Sequence, residues 1–280
     1  ALSDQGGGVA RLASTIPTFE LTDFAYPAAG GSITVNLGAN DQVITVSSLA
    51  LNANTDLIID GEGGSDTINL NVAAGLSITD ALDLTAETIA QTGLVTVTGN
   101  TTLDAGATGT IDLSIFNNDF QGNVTITNAD SAEVDDINAL TFANVTTQAD
   151  LNVDANGAVD FGGTTTIGAA LIVNAGGNIT DNGTIAVTGN TTLSTAGNDI
   201  TFDNGDGTFG TLRLNANNVI VSENAATDIG LSAITGNASF TSAGAVTDSG
   251  TIAITGTTAI NAGANNITLN DGDGTFGTLE

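Results

Sequence analysis

Apolar residues alternate with threonine, asparagine and serine along most of this chain. The runs are short: TIAVTG (Thr184–Gly189), DITFDNG (Asp199–Gly205), VIVSEN (Val219–Asn224), SFTSAG (Ser239–Gly244) and TIAITG (Thr251–Gly256). Alternation over four to six residues, bounded by Gly, Asn and Asp, predicts β-strands with one buried face. No stretch keeps a helical period convincingly. The nearest, ITDALDLTAETIA (Ile78–Ala90), reads equally well as two strands. An all-β chain is therefore expected.

The strands come in repeats. Ile179–Arg213 aligns with Val246–Glu280 without a gap at an offset of 67 residues, and 20 of the 35 pairs are identical. Gly189, Gly210, Gly236, Gly256 and Gly277 each close a segment, at spacings of 21, 26, 20 and 21. Three segments together match the long offset, which reads as three structural turns. Segments of 20–26 residues with two or three strands are the size of one coil of a parallel β-solenoid, in which each coil buries its apolar face only against its neighbours. The expectation is a β-helix of about 13 coils, occupying 31–280 and roughly 60 Å long at the usual strand spacing. A β-sandwich is the alternative, but it would not need gapless similarity or such regular glycines. Residues 1–30 differ in kind. They hold both prolines, the one tyrosine and Arg11, and read as a cap, linker or joint. No atypical cap follows Gly277, so the stack is expected to continue end to end, with further repeats or with another chain.

Composition narrows the function. The chain has 31 acidic residues against two basic ones, with no Lys, His or Cys, and a formal charge of −29. Nucleic acid and anionic membrane surfaces are excluded as partners, because two arginines make no basic footprint. No apolar run is long enough for membrane insertion as a helix. Without His, Cys or Lys most nucleophilic and acid–base constellations are missing. The adjacent pair Asp135–Asp136 cannot flank a substrate as glycosidase carboxylates do, since neighbours on a strand point to opposite faces. No enzyme and no catalytic residue is expected.

The string LIVNAGGNITDNGTIAVTGNTTLSTAGNDITF (Leu171–Phe202) resembles the repeats of filamentous-haemagglutinin-type exoproteins and other giant bacterial β-strand-repeat surface adhesins. The similarity covers roughly 95–280. It implies a right-handed parallel β-helix, secreted or held at the bacterial cell surface. The rod would act as a stalk that carries a binding region towards an unidentified host or environmental surface ligand. The secretion domain of that family is not evident, so nothing follows about the export route.

Acidic residues recur once per segment, at Asp160, Asp181, Asp203, Glu223, Asp248 and Asp271, as if stacked at one corner. Two such charges about 4.8 Å apart repel by roughly 3.5 kcal/mol at an effective dielectric of 20 and by about 0.9 kcal/mol in water. Either the corner is fully hydrated turn, or cations such as Ca²⁺ compensate it. DNGDGT (Asp203, Asp206) and DGDGT (Asp271, Asp273) place paired carboxylates around glycines, as calcium loops do. GEGGSDTIN (Gly61–Asn69) resembles one glycine-rich nonapeptide of RTX calcium rolls, with Asp66 in the acidic position and Glu62 replacing a glycine. These five aspartates are the candidate metal ligands. Asn178, Asn198, Asn218 and Asn265 recur at another corner, where their amides could hydrogen-bond to a neighbouring coil. Threonine pairs raise ice binding as a lesser possibility. The leading alternatives are an adhesin stalk and a calcium-assembled surface-layer or matrix protein.

Overall fold

A computed structural model describes residues 1–13, 22–73, 75–115, 117–271 and 274–280. All its regular elements are strands, stacked in parallel as a β-solenoid of about 12 turns. That is close to the expected number. The N-terminal strands, within the segment 1–30 read as a cap, linker or joint, run antiparallel to one another and form no coil. The count is slightly below 13 because the early coils are long, with successive corners 24–25 residues apart against 20–21 later on. The chain forms two compact units, Ala1–Ile137 and Asn138–Glu280.

In the first unit a typical coil comprises strands Asp56–Asp60, Thr67–Leu70 and Leu76–Ile78. The next coil lays Leu82–Thr85, Thr88–Gln91 and Val95–Val97 on them, so that Leu57 meets Leu82, Ile68 meets Ile89 and Leu76 meets Val95. The stretch that resembled a helix is thus two strands and a corner. Alternation puts Leu57, Ile59, Ile68, Leu70, Leu76 and Ile78 inside, all essentially inaccessible. Each contributes about 1.5–3 kcal/mol by burial. Before the coils, Leu2–Gly6, Val9–Leu12 and Thr22–Ala25 form an antiparallel meander, and Leu2 lies alongside Val46. Tyr26 fastens it: its hydroxyl donates to Asp4 Oδ1 and accepts the Ala50 N–H, both at 3.0 Å.

In the second unit the first strand of successive coils is Val159–Phe161, Ile179–Asp181, Ile200–Gly207, Val219–Glu223 and Ala238–Ser242. Phenylalanines stack inside this face. The Phe142 and Phe161 rings lie parallel at 5.5 Å, Phe202 meets Phe161 edge-on at 6.2 Å, and Phe209 stacks on Phe202 at 5.6 Å. The glycines that close the segments mark where coils touch. Gly210 N–H donates to Gly189 O at 3.0 Å, and a Cβ on Gly210 would stand 2.3 Å from that oxygen.

The 67-residue repeat does not equal three coils. Ile179 belongs to the ladder Val159–Ile179–Ile200–Val219–Ala238, so three coils on from Ile179 is Ala238. Its repeat mate Val246 stands on the next face, between Thr227 and Ile267. Likewise Ile200 is in a first strand, whereas its mate Ile267 is in a second. The long repeat therefore advances three coils and one face.

Candidate functional site

The polar residues that distinguish this chain collect at the corners between strands. There a side-chain oxygen of one coil repeatedly accepts a backbone N–H of the next. Asn100 accepts from Asn123, Asn144 from Thr164, Asn178 from Asp199, and Asn237 from Thr257, at 2.8–3.1 Å. Aspartate does the same work: Asp41 accepts from Ser65, Asp56 from Ala81, Asp150 from Ala170, and Asp248 from Asn270, at 2.8–3.0 Å. Asp199 and Asn218 extend one such column, since Asp199 Oδ1 accepts the Asn218 N–H and Asn218 Oδ1 accepts that of Asn237, each at 2.9 Å. The expected bonding of Asn178, Asn198, Asn218 and Asn265 to adjacent coils is present, with Asn198 and Asn265 donating to Gly176 O and Ala243 O. At these corners the carboxylate serves as an oxygen acceptor, and an amide serves equally well.

The supposed single row of acids is not one row. Phe161, not Asp160, pairs with Asp181, so Asp160 points outwards and Asp181 inwards. Asp160 instead accepts the Thr180 hydroxyl and the Asn182 amide. Glu223 is inward too, whereas Asp248 and Asp271 follow second strands and stand at another corner. A one-residue change of register moves a side chain to the opposite face, which the spacing of acids alone does not reveal.

Of the candidate ligands, Asp203 and Asp206 lie in a bulge. The register goes from Phe202–Val221 straight to Gly207–Glu223, leaving four residues looped out, with Gly205 left-handed at φ 76°. The bulge covers Asp181. Asp203 N–H donates to Asp181 Oδ1 at 3.2 Å, and Asp206 Oδ2 accepts the Thr184 hydroxyl at 2.8 Å. Asp206 Oδ1 is buried without a hydrogen-bond partner. Burial, reinforced by the charges of Asp203 and Asp206, pushes the Asp181 carboxyl up to about 6, despite the opposing hydrogen bond from Asp203. Asp66 belongs to the first unit. It is almost fully buried, accepts the Gln42 N–H at 2.8 Å, and its own N–H donates to Glu87 Oε2 at 2.7 Å. Asp271 is exposed and donates its N–H to Asp248 Oδ2. Asp273 falls outside the described residues. Among the described residues, no group of three or more His, Cys, Asp or Glu is placed to hold a metal ion.

Several polar groups could not be located from sequence. Asn118 and Gln91 form a buried amide pair with two reciprocal hydrogen bonds, at 2.8 and 2.9 Å, and Asn118 Oδ1 also accepts the Val95 N–H. Burial raises the Asp83 carboxyl, with Asp60 and Asp104 adding to the effect. Asp136 Oδ2 accepts the Phe120 N–H at 2.7 Å, which gives one member of the Asp135–Asp136 pair a structural role. Only the coil register brings these groups together.

A family model described as "Repeats of unknown function (DUF5649)" matches residues 56–127, 156–214 and 216–279, more than half of the chain. The second and third matches begin just ahead of Val159 and Val219, three coils apart in the same ladder. No curated protein and no solved structure matches the chain.

Proposed function

The chain belongs to the family of repeats of unknown function (DUF5649), and on that footing we propose that it is a structural stalk segment of a large bacterial surface or secreted adhesin. The observation that carries this reading is the corner chemistry. At corner after corner, an Asn or Asp side chain of one coil is bonded to the backbone of the adjacent coil. Side chains so engaged suit a spacer, whose work is to keep its length and direction. An acidic, lysine-free surface suits an extracellular setting, since it offers trypsin-like proteases almost no cleavage points.

A second reading has one observation in its favour. The partnerless Asp206 oxygen beside Asp181 and Asp203 is where a cation would relieve a concentration of negative charge, as in a calcium-assembled surface layer. Light scattering and small-angle X-ray scattering in EDTA and then in millimolar calcium separate the two. A stalk segment keeps the mass and profile of a monomer in both. Growth of laterally associated species on adding calcium would replace the stalk by the layer.

A further inference from the structure

Glu223 ends strand Val219–Glu223 on the inward side, 2% exposed, between Gly207 of one coil and Ser242 of the next. Its Oε1 accepts the Phe209 N–H at 2.9 Å, while its Oε2 is buried and has no hydrogen-bond partner. Close to it the Thr227 hydroxyl is buried, 1% exposed, and also forms no hydrogen bond of ordinary geometry. The charged groups on the surrounding strands are of one sign. Strand Ile200–Gly207 brings Asp203 and Asp206, strand Thr227–Ile229 brings Asp228, and strand Ala238–Ser242 brings none. Arg213, on strand Thr211–Ala216, is the unit's one basic residue and makes no ion pair among the described residues. An ionised carboxylate here would face no cation and would have only the Phe209 N–H and the nearby Thr227 hydroxyl as donors, so burial penalises its charge.

We propose that Glu223 is a proton-operated clasp. Neutral, it holds the Phe209 segment to strand Val219–Glu223 without placing a charge in the core, and either hydroxyl, its own or that of Thr227, can donate across the pair. Ionised, it becomes an unpaired buried charge, and the connection from Gly207 to Gly210 loosens from the coil beneath. The proton acts on one corner and leaves the stack elsewhere intact.

Burial, with Asp228 adding to it, pushes this carboxyl up to about 7 against the opposing pull of Thr227 and Phe209. Because the folded value lies above the ordinary one, the clasp is fully closed below the ordinary carboxylate range. It is lost as pH rises through about 7.

Hydrogen exchange of the Phe209 amide between pH 5 and 8, corrected for intrinsic rates, tests this in the wild type and in Glu223→Gln. In the wild type the opening constant rises roughly tenfold per pH unit between pH 5 and 7, and in the glutamine variant it stays flat. Equal pH slopes in the two proteins overturn the proposal. Should Glu223→Gln not fold, ¹³C titration of the Glu223 carboxyl in the wild type decides. A midpoint near 7 supports the clasp, and one in the ordinary range of glutamate refutes it. Protection restored at pH 8 by millimolar calcium would show that a cation, and not the proton, closes this corner.

Discussion

The two units turn their corners by the same two means in different proportion. In the first, many corner residues have left-handed backbone: Gly30, Gly38, Gly64, Gly75 and Gly106, together with the non-glycines Asn54 and Glu62. In the second the left-handed residues, among those described, are Gly197, Gly205 and Gly263. Most of its corner glycines have ordinary φ but no room for a side chain. A Cβ on Gly163 would lie 1.6 Å from Ala143 O, and one on Gly168 2.0 Å from Gln148 O. The longer coils at the start of the first unit bend through loops, which demand particular dihedrals, while Gly93, Gly109 and Gly122 later in that unit are as closely packed as those of the second. The shorter coils of the second press backbone on backbone, which demands a missing atom. One residue type meets two separate requirements.

Substitution should expose that difference most strongly. Gly163→Ala is expected to destabilise the protein by more than about 3 kcal/mol, because the ladder must separate to admit a methyl group. Gly38→Ala should cost only about 1–2 kcal/mol, since φ is 93° but the space around it is open. Urea unfolding of both variants checks the order, and equal losses would dissolve the contrast between the units.

The cores offer the next comparison. Phe161→Ala removes the centre of the aromatic stack in the second unit and should cost about 3–5 kcal/mol. Asn118→Ala in the first unit strips partners from Gln91 and from the Val95 N–H, a loss of about 1–3 kcal/mol.

Smaller effects follow in both units alike. Thr101 and Thr191 are fully buried with hydroxyls that have no partner, in ladders where adjacent coils carry Leu82 and Val124, or Leu171 and Leu212. Replacing either with valine should stabilise by about 1 kcal/mol, read as a rise in melting temperature. A loss at one site and a gain at the other would mean that the hydroxyl has different roles in the two units.

Least of all should change when a corner aspartate becomes asparagine. Asp199→Asn is expected to stay within about 0.5 kcal/mol near neutral pH, because the Asn218 N–H can donate to a carboxylate or an amide oxygen alike. The Asn218 backbone bond, with the side chains of Asn217 and Asn218, holds the Asp199 carboxyl below the ordinary range. Its contribution is therefore present above that range and fades as pH falls through the lowered value. The variant should lack that acid-side loss in a melting series from pH 5 to 2.

Strand type and stacked architecture were legible because alternation and corner residues are local properties. Val219–Glu223 and Thr251–Gly256 read as strand from their own letters. The phase of the stack was not legible. All three faces use the same alternation, so identity between Ile179–Arg213 and Val246–Glu280 says nothing about which face either copy occupies. The burial of Asp181 and Glu223 escaped for a related reason: inward and outward differ by one residue of register, and both acids sit where a strand meets a corner. The Gln91–Asn118 pair lies 27 residues apart and had no sequence signal at all.

The offset of the long repeat by one face bears on how such a chain can lengthen. If a motif can be rewritten 67 residues later on a different side of the stack and still fold, the interchangeable part is a strand with its corner, and the full turn is not the unit of inheritance. Recombination then has no reading frame of whole turns to respect. A copied piece need only begin and end at corners, which makes three times as many junctions acceptable as whole-turn exchange would allow.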